Sequence, residues 1–244
     1  VTRAAHISWE AAERLAQAGA VALLPLGSTE AHGPHLPLSV DVLIAEAVAE
    51  RTAARLEASG RRAVIFPAVS YGVTAFADGF AGTVHVPAEA TQPFLEGVLQ
   101  GLVRHGFRTV GLLNHHLEPA QFAVVHAAAR VVAEATGARV VVPDHRKKPH
   151  GPRLGEEFVS GGSHAGWYET SLMLAVAPHL VDTAALQALP EVQVNLPAAI
   201  KAGGRTFEEC GGPRAYFGAP GTATAADGER LLGILVEVST EALS

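Results

Sequence analysis

Short apolar runs alternate with longer amphipathic stretches along this chain, and that alternation restricts the fold more than any other feature. Ala20 to Leu26, Ala63 to Val69, Thr109 to Leu113 and Arg139 to Val142 are rich in Val, Ile and Leu, and they read as buried strands, with Pro67 interrupting the second. Around them, Trp9 to Ala18, Asp41 to Ala58, Ala88 to His105, Glu118 to Ala135, Glu169 to Ala177 and Ala225 to Ala242 read as helices. Ser8 stands as N-cap of the first helix, Pro87 and Pro119 stand at the starts of two others, and Pro178 closes the fifth. Strands spaced by helices of this length form βαβ units, and so an α/β fold with a mostly parallel sheet and helices on both faces. The 244 residues suit a single domain, residues 1–244. In such sheets sites gather beyond the carboxyl ends of the strands, which directs attention to the segments after Leu26, Val69 and Leu113. Residues 143–162, rich in Pro, Gly and charge, form a loop or lid candidate, and residues 190–224 are irregular.

Composition excludes several classes. Hydrophobic residues make up 48% and charged residues 17%, ample for a packed core. The net charge of -6 is opposite in sign to that of a nucleic-acid binder. The only basic cluster is Arg146, Lys147 and Lys148, beside His145 and His150, a solvated loop whose one functional use would be contact with an anionic substrate group. A single cysteine, Cys210, permits no intrachain disulfide and has no neighbour to activate it as a nucleophile. No run approaches the ~18 apolar residues that read as a membrane span. The first residues hold no signal-peptide core, so a cytoplasmic location with no membrane partner is expected.

The chemistry-bearing residues follow two strand ends. After the first strand comes G-S-T-E-A-H-G-P-H-L-P-L-S-V-D, with Glu30 and His32 two apart and Asp41 nine further on, at a helix start. After the third comes N-H-H-L-E-P, where His116 and Glu118 repeat the two-residue spacing. Either pair alone is commonplace; their joint placement on strand ends that a parallel sheet brings together makes them ligand candidates. Two imidazoles and three carboxylates suit zinc or manganese rather than a thiolate site. Five ligands exceed one tetrahedral ion but fit two divalent ions sharing a carboxylate, which together activate water and polarise a carbonyl. A third segment, G-G-S-H-A-G-W-Y-E-T-S-L-M-L-A, places His164 before a helix and Glu169 in or near its first turn. His164 suits protonation of a leaving nitrogen or donation to an oxyanion, or else is a histidine hydrogen-bonded under the loop. Glu169 is either a helix-dipole carboxylate or part of the site. His35 is expected to brace its loop through a hydrogen bond, and His6, His85, His105, His126, His150 and His179 are read as structural.

These segments resemble the signatures of the creatininase, or creatinine amidohydrolase, family. The first resembles G-[ST]-x-E-x-H-G-x-H-L-P-x-x-x-D, N-H-H-L-E-P resembles N-G-H-x-E-N, and H-A-G-x-x-E-T-S-L-M-L matches the third signature. Tyr71-Gly72, A-G-T at 81–83 and P-G-T-A-T-A-A-D-G-E at 220–229 extend the match nearly end to end. The resemblance implies a three-layer α/β/α sandwich and a binuclear metal site, with Zn and/or Mn as the ions. It assigns Glu30, Asp41 and His116 to one ion and His32, Asp41 and Glu118 to the other, Asp41 bridging. Water between the ions would attack a carbonyl carbon. His164 and Glu118 would take catalytic parts, and Glu169 would support the site from behind. It also implies a small-molecule substrate and a homo-oligomer, a hexamer in creatininase. Relatives open a cyclic amide, remove a formyl group or cut a short peptide made during cofactor biosynthesis.

Departures from the pattern bear on the substrate. Leu117 stands where creatininase has a tyrosine, His115 replaces a glycine, and the stretch before His164 has no Trp. His145 falls roughly where one tryptophan would be, and Trp167 lies beyond His164. Without that aromatic wall creatinine is a poor candidate substrate. The reading is therefore hydrolysis of a C–N bond in an amide, lactam or formamide. Two alternatives stand beside it: the same site used for ring opening, amide formation or dehydration in a secondary-metabolite or cofactor pathway, or a catalytically silent metal-binding subunit.

Overall fold

The structure is a computed structural model and describes residues 1–244. Five parallel strands form one sheet in the order β1-β3-β2-β4-β5: β1 Thr2–Arg3, β2 Val21–Leu26, β3 Ala63–Ile65, β4 Thr109–Asn114 and β5 Arg139–Val141. The long helices are α1 Trp9–Gln17, α2 Val40–Ala58, α3 Ala88–Arg104, α4 Pro119–Thr136, α6 Trp167–Val176 and α9 Ala225–Leu243. Three single-turn helices, α5 Glu156–Ser160, α7 Thr183–Gln187 and α8 Leu196–Lys201, lie in the segments read as irregular or just beside them.

The layers follow from the two-residue period of a strand. On β2, Val21 and Leu23 face a core completed by Ile44 and Leu56 of α2, Leu172 of α6 and Leu231 and Leu235 of α9. Ala22, Leu24 and Leu26 face the opposite core, with Leu95 and Leu99 of α3 and Val125 and Val132 of α4. Every residue of β2 is buried, so its run is apolar throughout rather than alternating. The α/β fold, a mostly parallel sheet between two helical layers, is as expected.

Two details depart from the sequence reading. The second strand ends at Ile65, because Pro67 has no N–H for the ladder. Pairing resumes only at Val69, which bridges Leu26. Thr2–Arg3 adds an edge strand, too short to carry a period. Cys210 is buried in a small cluster with Ala77, Phe207, Ala215 and Phe217, where burial raises its thiol pKa, the opposite of what a nucleophile needs. No helix is long and apolar enough to cross a membrane.

Candidate metal centre

The parallel register sets the site. Leu26 pairs with Asn114, and His115 N–H continues the ladder to the Leu26 carbonyl at 3.0 Å. Glu30 and His116 therefore leave neighbouring strand ends at the same edge of the sheet. Asp41 enters from the first turn of α2. Gly27 permits this: a Cβ there would lie 2.5 Å from the Val42 nitrogen and 2.9 Å from Asp41 Cβ. Glu169 enters from the first turn of α6.

Three groups of side chains converge, each with ligand atoms within 4.8 Å of one another: Glu30, Asp41 and His116; His32, Asp41 and Glu169; and Glu30, His32 and His164. Glu30, His32, Asp41, His116 and Glu169 are buried. The first group is the one expected. The second differs from expectation, since Glu169 rather than Glu118 completes it. The reason is reach. α6 points its first turn inward and puts Glu169 Oε2 3.4 Å from His32 Nε2. Glu118 instead accepts backbone N–H groups of Ala75 and Phe76, at 3.2 and 3.3 Å, on the cavity wall.

The imidazole partners decide what the cluster needs. His116 Nε2 lies 2.7 Å from the Val73 carbonyl, which only accepts, so Nε2 carries the proton. Its bare Nδ1 then faces Glu30 Oε1 at 3.2 Å and Asp41 Oδ2 at 3.1 Å. His32 Nδ1 likewise donates to the Glu30 carbonyl at 3.1 Å. Its Nε2 is buried without a hydrogen-bond partner, facing Asp41 Oδ1 at 3.5 Å and Glu169 Oε2 at 3.4 Å. In the neutral rings lone pairs would meet carboxylate oxygens twice, and either a proton or a metal cation between them relieves that repulsion. The residues fit a bound divalent metal.

The titration behaviour has the same origin. Burial works to lower the His32 pKa, but Asp41, Glu169 and Glu30 outweigh it and raise it to about 10. His116 is raised well above its ordinary value in the same way, by Glu30 and Asp41 against burial. Burial would raise Asp41, yet His116 and His32 hold it well below the usual carboxylate range. Glu169 is raised to about 8, by burial first, with Asp41 and Glu30 adding to it against the opposing charge of His32. Each positive shift belongs to a group that would give way to metal charge.

Supporting contacts come from residues not singled out in the sequence, although Ser28, Asn114 and Ala165 lie within the three signatures. Ser28 Oγ donates to Asp41 Oδ2 at 2.6 Å, and Thr74 Oγ1 donates to Glu30 Oε2. Ala165 N–H donates to Glu169 Oε2 at 2.7 Å. Asn114 Nδ2 holds the His116 carbonyl at 2.7 Å. Glu157 of α5 is the largest omission of the sequence reading. It accepts N–H groups of Tyr168 at 3.1 Å and Ala219 at 2.8 Å, and thereby caps α6 from outside. Methyl groups at Gly166 or Gly218 would overlap its oxygens, so the glycines around it were the available signal.

His164 lies at the junction of cluster and cavity. Its Nε2 donates to the Ala31 carbonyl at 3.0 Å, leaving Nδ1 bare and 3.8 Å from Glu30 Oε1. Burial and the charge of His32 lower its pKa well below the ordinary value. Glu118 is raised to about 6, chiefly by burial, with His116 and backbone N–H groups opposing. His35 braces as expected, with Nε2 2.8 Å from Thr170 Oγ1 on α6. His145 does not line the cavity; it stacks on His115 at 6.0 Å between ring centroids, and His115 in turn stacks on Tyr168. Trp167 also lies outside the lining.

The whole chain, not only the site, has known counterparts. Residues 5–243 match the family model for creatinine amidohydrolase. Creatinine amidohydrolase of Pseudomonas putida is 31% identical over 193 residues, covering 72% of each chain. Mycofactocin precursor peptide peptidase of Mycolicibacterium smegmatis is 32% identical over 218 residues, covering 88% of this chain and 80% of that one. A crystal structure of creatinine amidohydrolase superposes with a TM-score of 0.79 at 26% identity, over 99% of this chain and 96% of that chain. A manganese creatininase gives 0.75 at 27% identity, over 99% and 96%. With the three signatures converging at one sheet edge and the likeness running from end to end, the chain belongs to the creatininase family of hydrolases.

Proposed function

We propose that this chain hydrolyses a C–N bond of an amide, lactam or formamide, using two divalent cations, zinc or manganese. Glu30, Asp41 and His116 would hold one, and His32, Asp41 and Glu169 the other. The observation that carries this reading is the pair of imidazole nitrogens not used in backbone hydrogen bonds, His116 Nδ1 and His32 Nε2, each aimed at carboxylate oxygens. Cations in such a site lower the pKa of a water and polarise a carbonyl.

The chain's own residues supply the rest. Glu118 is anchored by two N–H groups, and burial pushes its pKa up to about 6, which makes it a better proton acceptor for an attacking water than an ordinary carboxylate. His164, fixed by Ala31, presents Nδ1 to the cavity side of the cluster, where it carries a proton to the departing nitrogen. Ser28, Thr74 and the Ala165 N–H hold the three carboxylates in place, so little reorganisation accompanies the reaction.

Cavity size favours an amide of a larger molecule over a small lactam. The space in front of the cluster is about 540 Å³, within the ~300–1,000 Å³ range of sites for drug-sized ligands. Action on a peptide by one relative is consistent with that size. Chelator treatment followed by readdition of zinc or manganese tests the reading. Activity on amide substrates is expected to vanish and return; full activity in protein shown by elemental analysis to be metal-free would overturn it. Product mass separates hydrolysis, which adds one water, from amide formation or dehydration.

A further inference from the structure

The cavity lining brings acidic, apolar and cationic side chains together. At the cluster its walls are acidic, with Glu30, Asp41, Glu118 and Glu169. Its apolar lining includes Phe158, Val159, Leu196 and Ile200, on segments apart from those that carry the cluster. Phe158 and Val159 belong to α5, and Leu196 and Ile200 to α8. A methyl on Gly161 would overlap the Pro197 ring, so the two short helices meet at close range beside the cleft they line. Val159 is 62% exposed, a branched apolar side chain covered by nothing in the chain itself. Covering it with a ligand's apolar group removes apolar surface from water, which is favourable.

Two cations line the same cavity, Arg146 and Lys148, and they are not equivalent. Arg146 is engaged: its guanidinium donates to Asp144 Oδ1 at 2.9 Å and Oδ2 at 3.1 Å, and it lies 3.3 Å from the Phe122 ring centroid. Lys147 pairs with the same Asp144 at 3.5 Å. Lys148 has no such counter-charge, and it is the free ammonium of the lining. A carboxylate beside Lys148 meets an opposite charge. The same carboxylate beside Glu30, Asp41, Glu118 and Glu169 would meet like charges, so Lys148 is the favoured partner for it.

We propose that the substrate is an amide bearing both a bulky apolar group and a carboxylate, the apolar group lying between α5 and α8 and the carboxylate at Lys148. The inference rests on the hydrolytic reading above and gives its substrate class. In the reaction the C–N bond breaks, water supplies hydroxyl to the acyl carbon and hydrogen to the nitrogen, and the second carboxylate passes through unchanged.

The test is calorimetric titration of the zinc-loaded protein with N-benzoylglycyl-L-phenylalanine and with its C-terminal carboxamide, in a Glu118→Gln background that suppresses turnover. The acid is expected to bind at least about tenfold more tightly than the carboxamide. Lys148→Gln should weaken the acid about tenfold and leave the carboxamide within about twofold, and Val159→Asp should weaken both. Lys148 and Val159 are exposed, so both variants should keep the native circular dichroism spectrum. Equal affinity of acid and carboxamide, an acid affinity indifferent to Lys148→Gln, or no binding of either probe at millimolar concentration would each overturn the proposal. Phenylalanine release by protein with Glu118 intact is measured separately. The expected binding pattern without release supports the subsite assignment and counts against the hydrolytic reading instead.

Discussion

Glu157 receives the backbone N–H of Tyr168 at 3.1 Å and so closes the N-terminus of α6 from another segment of the chain. Its second oxygen takes the Ala219 N–H at 2.8 Å. α6 carries Glu169, and His164 stands just before it. Burial raises the Glu157 pKa, while the N–H groups of Ala219, Tyr168 and Trp167 draw it back. The carboxylate is thus a positioning group for both site residues without touching either.

Glu157→Gln should expose that role. An amide keeps one acceptor and turns an NH2 group toward an N–H donor. Stability should fall by about 1–3 kcal/mol in denaturant titrations. Zinc affinity, read by calorimetry, should fall on the order of tenfold, because the α6 end that aims Glu169 is no longer held. A stability loss with unchanged zinc affinity would make Glu157 purely structural.

Glu169 and Glu118 should separate into different parts. Glu169→Gln removes a carboxylate aimed at His32 Nε2, and metal content after dialysis should drop. Glu118→Gln should retain metal while kcat falls by about 10²–10⁴. Elemental analysis of the two variants beside kcat decides the matter, and metal loss in Glu118→Gln with full retention in Glu169→Gln would reverse the assignment.

The loop at the cavity mouth should respond to acid. Burial raises Asp144, and the hydrogen bonds and charge of Arg146 more than reverse this, leaving a pKa of about 2. A depressed folded-state pKa stabilises the fold above the unfolded value of about 3.9, and the contribution is lost as pH falls through the folded value. The Arg146 side chain is 40% exposed, so solvent screening leaves about 1 kcal/mol of it. Asp144→Asn should therefore be less stable than the parent near neutrality, with the gap closing between about pH 4 and about pH 2. A gap independent of pH would show that the ion pair contributes nothing.

Gly27→Ala tests the approach of α2 to β2. The added Cβ would sit 2.5 Å from the Val42 nitrogen, a backbone atom that cannot swing aside. The expected cost is about 1–3 kcal/mol, with weaker metal binding because Asp41 is pushed from Glu30. An unchanged melting temperature would mean that α2 shifts freely.

Strand and helix periods were legible in the residues because burial on one or two faces imposes them locally. The αβ alternation, the parallel sheet and the candidate members of the cluster, Glu169 among them, were read from apolar runs, caps, and the motifs after Leu26 and Leu113 and around His164. What the sequence by itself determined was the set of donors: two imidazoles and a group of carboxylates at strand and helix ends. Which donors face the same point was decided only by tertiary structure. Glu118 and Glu169 are equally acidic on paper. The first is drawn to the Ala75 and Phe76 amides, and the second is aimed at His32 by a helix that Glu157 caps from a different segment. Spacing along a chain fixes which face of its own element a side chain takes, but the distance between side chains on different elements depends on how those elements pack.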